Sequence, residues 1–216
     1  EVWRFGAKDF RVFEQKITVD SPETQITMLV DMSGSMTGER IATAYELTNV
    51  MLECLRSMKG VRVQVRGHTT SADENSGNGE CVVYRLWEPG DPMERIGFID
   101  TLSHLWNYDG FAIGWCAEEL LSDTRPREDQ VLFVLSDGKP NARAFPYSGL
   151  PAMDHVRKVT EHYARLGVTI IQIAIDPEMR SEDQARMFKN WIPFESREKL
   201  PAQLTKSLIK LFGGEA

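Results

Sequence analysis

Three oxygen-bearing side chains follow an apolar run near the start of the chain. Asp31, Ser33 and Ser35 alternate within residues 26–38, with Gly34 between the two serines. The apolar run predicts a buried strand that delivers these groups to one edge of a sheet. The glycine allows a tight turn on which both hydroxyls can converge. Carboxylate and hydroxyl oxygens suit hard cations, so the segment predicts a divalent-metal site.

A second acidic loop follows another apolar run. Asp137 and Gly138 follow shortly after residues 131–135, which read as a strand buried on both faces. In open α/β sheets, ligands lie at the carboxyl ends of the strands where the winding direction reverses. If the two strands are neighbours there, Asp31 and Asp137 face one crevice. Taken alone, each loop is also an ordinary turn sequence.

The D-x-S-x-S sequence at Asp31, together with the second acid at Asp137, resembles the metal-ion-dependent adhesion site of von Willebrand factor A (VWA) domains. The resemblance extends over nearly the whole chain. It implies that Ser33 and Ser35 bind the ion directly, while Asp31 and Asp137 balance its charge directly or through water. The implied ion is Mg²⁺, with Mn²⁺ or Ca²⁺ as alternatives.

The family normally adds a threonine from a third loop. Here the matching loop is 107–110, which is predicted to carry an exposed carboxylate, with Asp109 at the expected place. The N-x-D-G loop, a helix with Trp115 and a strand ending in S-D-G-x-P resemble the subgroup found in large cobaltochelatase subunits and related intracellular proteins that work with AAA+ ATPases. A third carboxylate would strengthen cation binding. Asp109 could equally cap the following helix. The substitutes for it are Thr69, Thr70 and Thr101.

Strands alternating with helices predict a doubly wound, mostly parallel α/β sheet with helices on both faces and one antiparallel edge strand. Residues 1–24 are expected to form an N-terminal strand or lead-in hairpin, and 25–216 a VWA-like domain cut from a longer protein. Predicted strands cover 25–30, 61–65, 81–87, 131–135 and 168–175. Predicted helices cover 39–58, 93–105, 111–121, 152–166, 181–189 and 197–211.

Composition and charge argue against some classes of function. A net charge of -7 over 216 residues argues against a nucleic-acid surface, and three unpaired-looking cysteines favour a reduced, cytoplasmic setting. No run approaches the ~20 apolar residues of a membrane span. The four histidines lack metal-ligand spacing and are expected to be surface or packed residues. Residues 68–80 predict a mobile surface connection, and 139–151 an irregular loop beside the site.

Several other side chains are expected to be structural. Cys54 and Cys116 lie within helical patterns and are predicted to be buried thiols. The tryptophans are more typical of core than of a cofactor site, and these are Trp87, Trp106, Trp115 and Trp191.

The leading functional hypothesis is a non-catalytic module whose metal binds an Asp or Glu of a protein partner, such as an AAA+ ATPase or a chelatase subunit. The main alternative is a Mg²⁺-dependent phosphotransfer enzyme of the haloacid-dehalogenase type, with Asp31 as nucleophile. Such enzymes need a second Asp two residues later as general acid, and Ser33 occupies that position. A third reading is a metal-free structural domain.

Overall fold

The computed structural model describes residues 23–71, 79–96, 106–123, 128–138, 140–142, 147–176, 179–193, 196, 199 and 202–203. The predicted lead-in strand, Thr101 and most of the predicted last helix lie outside these residues. Among the described residues, no helix combines the length and apolar character needed to cross a bilayer.

The centre of the molecule is a six-stranded sheet whose strand order is β3-β2-β1-β4-β7-β8. All neighbours are parallel except β2 and β3, so the antiparallel edge strand of the described sheet is β3. A separate antiparallel pair is formed by β5 and β6. The strands are β1 (Glu23–Asp31), β2 (Val61–Thr70), β3 (Cys81–Trp87), β4 (Glu128–Ser136), β5 (Asn141–Ala142), β6 (Tyr147–Ser148), β7 (Val168–Ala174) and β8 (Asn190–Ile192).

Helices cover both faces of the sheet, as the sequence predicts. They are α1 (Glu39–Arg56), α2 (Asp109–Ser122), α3 (Gly149–Arg165) and α4 (Ser181–Met187), with a 3₁₀ turn at Gly34–Met36. Successive side chains of a strand point to opposite faces. Met28 and Val30 therefore pack into a core with α1, while Leu29 packs into a second core with α2 and α3.

The winding direction reverses between β1 and β4. The chain passes from β1 to β2 on one side of the sheet, and from β4 to β7 on the other. Val30 of β1 lies beside Leu135 of β4 in the parallel register, so both strands end at the same edge. The crevice predicted for Asp31 and Asp137 thus lies at the switch point of a doubly wound sheet.

The prediction for residues 68–80 is wrong at its start. Strand β2 does not end at Val65 but continues to Thr70, and His68, Thr69 and Thr70 are buried. The reason is that β1 and β3 flank this part of β2 and satisfy its backbone hydrogen-bonding groups. Polar side chains here do not mark a loop.

Three smaller expectations are also wrong. Cys54 is exposed rather than buried, and Trp115 is 43% exposed, because both lie on the outward side of their helices. Part of the predicted irregular loop 139–151 forms β5, β6 and the first turn of α3. By contrast, Trp87 and Cys116 are buried as expected.

Candidate metal centre

Asp31 ends β1 and is completely buried. Its Oδ1 accepts a hydrogen bond from the Ser33 backbone N–H at 2.8 Å, and its Oδ2 accepts one from Asn107 Nδ2 at 2.9 Å. Burial raises the pKa of Asp31, and the hydrogen bonds from Ser33 and Asn107 offset part of that rise. The carboxylate is therefore held in one orientation at the edge of the sheet.

The serine loop brings its two hydroxyls together. Ser33 Oγ and Ser35 Oγ lie 3.0 Å apart, with Ser33 buried and Ser35 exposed. Arg40 fixes the loop from outside, because its guanidinium donates to the Ser35 carbonyl at 2.8 Å and pairs with Asp176 at 2.9 Å. The loop thus presents two converging oxygens, one of them on the open side.

Asp109 is buried rather than exposed, which corrects the sequence-based expectation. It is only 3% exposed and is the first residue of α2, two residues earlier than the predicted start. The N-cap position belongs to Tyr108, so Asp109 is not the N-cap of this helix. Next to it, the Gly110 N–H donates to the Tyr147 hydroxyl at 3.0 Å, which anchors this end of α2.

The electrostatics of Asp109 indicate a crowded acidic centre. Burial, followed by the charges of Asp31 and Asp137, raises its pKa well above the usual range. Its Oδ1 is buried and has no hydrogen-bond partner among the described residues. An unpaired carboxylate oxygen in such a place carries a large desolvation cost. A bound cation would compensate it.

Asp137 completes the acidic group from β4. It is fully buried and directly follows the last residue of the strand. Gly138 then takes φ +68, and a Cβ there would overlap with the Met179 side chain. The Gly138 N–H donates to Ser136 Oγ at 3.2 Å, and Gln172 Nε2 donates to the same oxygen at 3.1 Å. The turn that carries Asp137 is therefore closely specified.

Sequence reasoning missed two residues of the centre. Asn107 links three segments, because its Nδ2 donates to Asp31 and its Oδ1 accepts from the Asn141 backbone N–H at 2.7 Å. His68 is the β2 partner of Asp31 in the parallel register and is completely buried. Ligand atoms of Asp31, His68 and Asp109 all lie within 4.8 Å of one another. His68 could have been found only from its pairing with Asp31 in the strand register, and that pairing cannot be predicted unless the end of β2 is known.

Two of the threonine substitutes, Thr69 and Thr70, have hydroxyls that contact the neighbouring segment, and Thr101 lies outside the described residues. Thr69 Oγ1 donates to the Trp106 carbonyl at 3.3 Å, and Thr70 Oγ1 accepts from the Trp106 N–H at 3.1 Å. Both hydroxyls therefore hold the segment that leads to Asn107 and Asp109. Of the described candidates for this position, Asp109 is the one whose side chain lies close to Asp31.

The donor set fits a divalent cation. Three buried carboxylates lie at one edge of the sheet, with two serine hydroxyls beside Asp31. Desolvation raises the pKa of both Asp31 and Asp109, which shows that the centre disfavours its own negative charge. Oxygen donors of this type are the ligands that Mg²⁺, Mn²⁺ and Ca²⁺ accept.

Comparison with known proteins bears on the fold and the family. Residues 12–89 match the family model described as the cobalamin biosynthesis protein CobT VWA domain. The fold is similar to that of the pilus adhesin SpaC from Lactobacillus rhamnosus GG, with TM-score 0.66 and 14% identity over 90% of this chain and 31% of that chain. The chain thus spans about a third of SpaC.

The match covers a larger share of two further structures. The vWF domain of the type V pili tip protein Mfa5 from Porphyromonas gingivalis has TM-score 0.60 and 11% identity over 91% of this chain and 97% of that chain. Manganese-loaded TRAP protein from Plasmodium vivax has TM-score 0.56 and 15% identity over 88% and 73%. Identities this low show the fold alone. Together they show that the chain has the fold of a VWA domain, and the family-model match adds that its residues 12–89 are similar to the CobT VWA domain.

Proposed function

We propose that this chain is a metal-dependent protein-interaction module that binds a carboxylate of a partner protein. Ser33 and Ser35 would hold the ion directly, and Asp31, Asp109 and Asp137 would balance its charge. When bound, the ion supplies an electrophilic position that an Asp or Glu of the partner can occupy. The chain's own residues orient the ion and leave its outer side accessible.

The observation that carries the proposal is the burial of three carboxylates at the same edge of the sheet. Asp31, Asp109 and Asp137 are each at most 3% exposed, and the charges of the other two raise the pKa of Asp109. Without a cation, the folded domain must keep this repulsion or take up protons. A hard divalent ion removes the conflict, and the adjacent hydroxyls offer it neutral ligands.

The outer side of the centre suits a protein partner. Ser35 is exposed, so the ion position opens to solvent through the serine loop. Phe111, two residues after Asp109, is 46% exposed, and Trp115 lies one turn further along α2 and is 43% exposed. Exposed aromatic side chains beside a polar contact are typical of interface centres. They would surround the ionic contact with apolar area.

The partner we propose is a subunit or domain of an AAA+ ATPase-driven complex, such as a cobaltochelatase-like assembly in the cytoplasm. The support is the match to the CobT VWA domain model. Mg²⁺ is the ion we expect under cellular conditions, with Mn²⁺ or Ca²⁺ as the alternatives. Any chemistry of the whole assembly would take place on other subunits.

The proposal assigns no catalytic step to this chain. Both carboxylate oxygens of Asp31 accept hydrogen bonds, one from Ser33 and one from Asn107, which disfavours a role as phosphate-attacking nucleophile. The residue two positions later is Ser33, whose hydroxyl is a poor proton donor at neutral pH. These points support a binding role over phosphotransfer.

A peptide-library experiment tests the proposal without a known partner. The 216-residue chain is immobilised and probed with random peptides that carry a central Glu, and with a matched library that carries Gln. We expect enrichment of the Glu library in Mg²⁺, loss of enrichment in EDTA, and loss in Ser33→Ala and Asp31→Ala variants that retain their circular dichroism. Equal enrichment of both libraries, or enrichment that survives EDTA, would overturn the proposal.

A further inference from the structure

His68 introduces a nitrogen donor into a centre otherwise made of oxygens. It is completely buried at the carboxyl end of β2, directly beside Asp31 in the parallel register. Its Nε2 lies 3.6 Å from Asp109 Oδ1. One ligand atom each from Asp31, His68 and Asp109 lies within 4.8 Å of the others. The imidazole therefore shares the space that the carboxylates surround.

An ordinary structural role does not account for His68. Neither ring nitrogen has a hydrogen-bond partner among the described residues, and 3.6 Å is too long for a hydrogen bond to Asp109. Buried polar atoms are nearly always paired, because leaving one unpaired costs free energy. An imidazole nitrogen that takes part in no hydrogen bond can offer its lone pair to a metal ion.

The position of His68 is set by the fold rather than by a mobile loop. The β2 strand is paired on both sides, with Asp31 opposite His68 on β1 and Val83 opposite it on β3. At the preceding residue, a Cβ on Gly67 would lie 2.6 Å from the Met32 side chain, so glycine lets Met32 pack closely against β2. The imidazole is thus held beside the carboxylates by the sheet itself.

We infer that His68 is a ligand of the metal ion and that it shifts the preference of the site from Mg²⁺ and Ca²⁺ toward nitrogen-accepting ions such as Mn²⁺, Co²⁺ and Zn²⁺. The inference rests on the proposed metal site and deepens it. Mg²⁺ and Ca²⁺ select oxygen ligands, whereas imidazole suits first-row transition ions. A mixed set of carboxylate, hydroxyl and imidazole donors matches the second group.

The decisive comparison is between ions in the presence and absence of the imidazole. Transition ions bind most protein sites more tightly than Mg²⁺ does, so preference in the unmodified chain is not diagnostic by itself. We expect His68→Leu to weaken Mn²⁺ and Co²⁺ binding at least tenfold in calorimetric titrations, while Mg²⁺ affinity changes less than threefold. The matched control is His162→Leu, because His162 is exposed on α3, and it should change neither.

A spectroscopic measurement does not depend on the variant folding. In pulsed electron paramagnetic resonance of the Mn²⁺-loaded unmodified chain, we expect ¹⁴N modulation from a directly bound imidazole. His68 is the one histidine at the described centre, so this signal reports on it. Absence of the ¹⁴N modulation, or equal loss of Mg²⁺ and Mn²⁺ affinity in a folded His68→Leu variant, would overturn the inference.

The two proposals can fail separately. Mg²⁺-dependent selection of Glu peptides without ¹⁴N coordination would overturn the role of His68 and leave the interaction module intact. Nitrogen coordination without carboxylate-dependent peptide binding would overturn the interaction module and leave His68 as a metal ligand.

Discussion

Replacing Asp109 by asparagine should have opposite effects on the metal-free and the metal-loaded domain. Asp109 is 3% exposed, and burial together with the charges of Asp31 and Asp137 raises its pKa. Asparagine keeps the shape of the side chain and removes its charge. Without metal, the substitution relieves repulsion. With metal, it removes part of the charge that attracts the ion.

Protonation of Asp109 sets an upper limit on the stabilisation that the substitution can give in the absence of metal. The usual pKa of the carboxyl is 3.8, so keeping it protonated at pH 7 costs about 4 kcal/mol, at about 1.4 kcal/mol for each unit of pH. Relaxation of the structure and water penetration reduce this cost. We therefore expect Asp109→Asn to increase the free energy of unfolding by about 2 kcal/mol. For a chain of this size that raises Tm by roughly 4–8 °C.

The metal-loaded effect has the opposite sign. An ion at a concentration 100 times its Kd stabilises the native state by about 2.7 kcal/mol, or roughly 5–10 °C in Tm. Losing one carboxylate should reduce that gain by more than half at the same ion concentration. The measurement is thermal and urea unfolding of both chains, each in EDTA and in Mg²⁺ or Mn²⁺.

The control is Asp129→Asn, which removes the same charge from an exposed position on β4. It should leave the response to metal unchanged. If Asp109 only supported the helix, its substitution would lower metal-free stability by about 1 kcal/mol and leave the metal response intact. That pattern would refute the reasoning.

Three further predictions follow from the same structure. Arg40→Ala should weaken metal binding by roughly tenfold in calorimetric titrations while the fold persists, because Arg40 orients the serine loop. The control Arg56→Ala, on the outer face of the same helix, should leave metal affinity unchanged. A thiol reagent at pH 8 should label Cys54 alone in the native chain, because Cys54 is exposed. Burial raises the pKa of Cys81 to about 12 and raises that of Cys116 further, so both thiols should react slowly. Rapid labelling of a second thiol would contradict the packing. With p-nitrophenyl phosphate and Mg²⁺, the chain should show no hydrolysis above that of the Asp31→Asn variant, and a clear difference would favour the phosphotransfer alternative.

The sequence predicts the parts of the site that depend on local pattern. The strand before Asp31 ends in a mainly apolar run, and the strand before Asp137 contains a continuous one. Each leads into a short turn with an acid, so both loops could be recognised without a structure. The alternation of strands and helices then places the two loops at one edge of the sheet. The structure confirms the fold and the adjacency of β1 and β4.

The contributions of His68 and Asn107 depend on long-range register and could not be read from local pattern. The end of β2 is polar, so its sequence resembles a loop, and only pairing with β1 and β3 keeps it extended and buried. Asn107 reaches Asp31 across 76 positions of the chain. The burial of Asp109 likewise follows from how α2 packs on the sheet, whereas its sequence context suggests an exposed loop.

The most direct test of the metal centre is an anomalous-scattering map from crystals of this chain grown with Mn²⁺. A strong peak in the crevice between Asp31 and Asp137, within bonding distance of the Ser33 and Ser35 hydroxyls, is the result that we predict. A map in which that crevice has no peak under saturating Mn²⁺ would contradict the central claim.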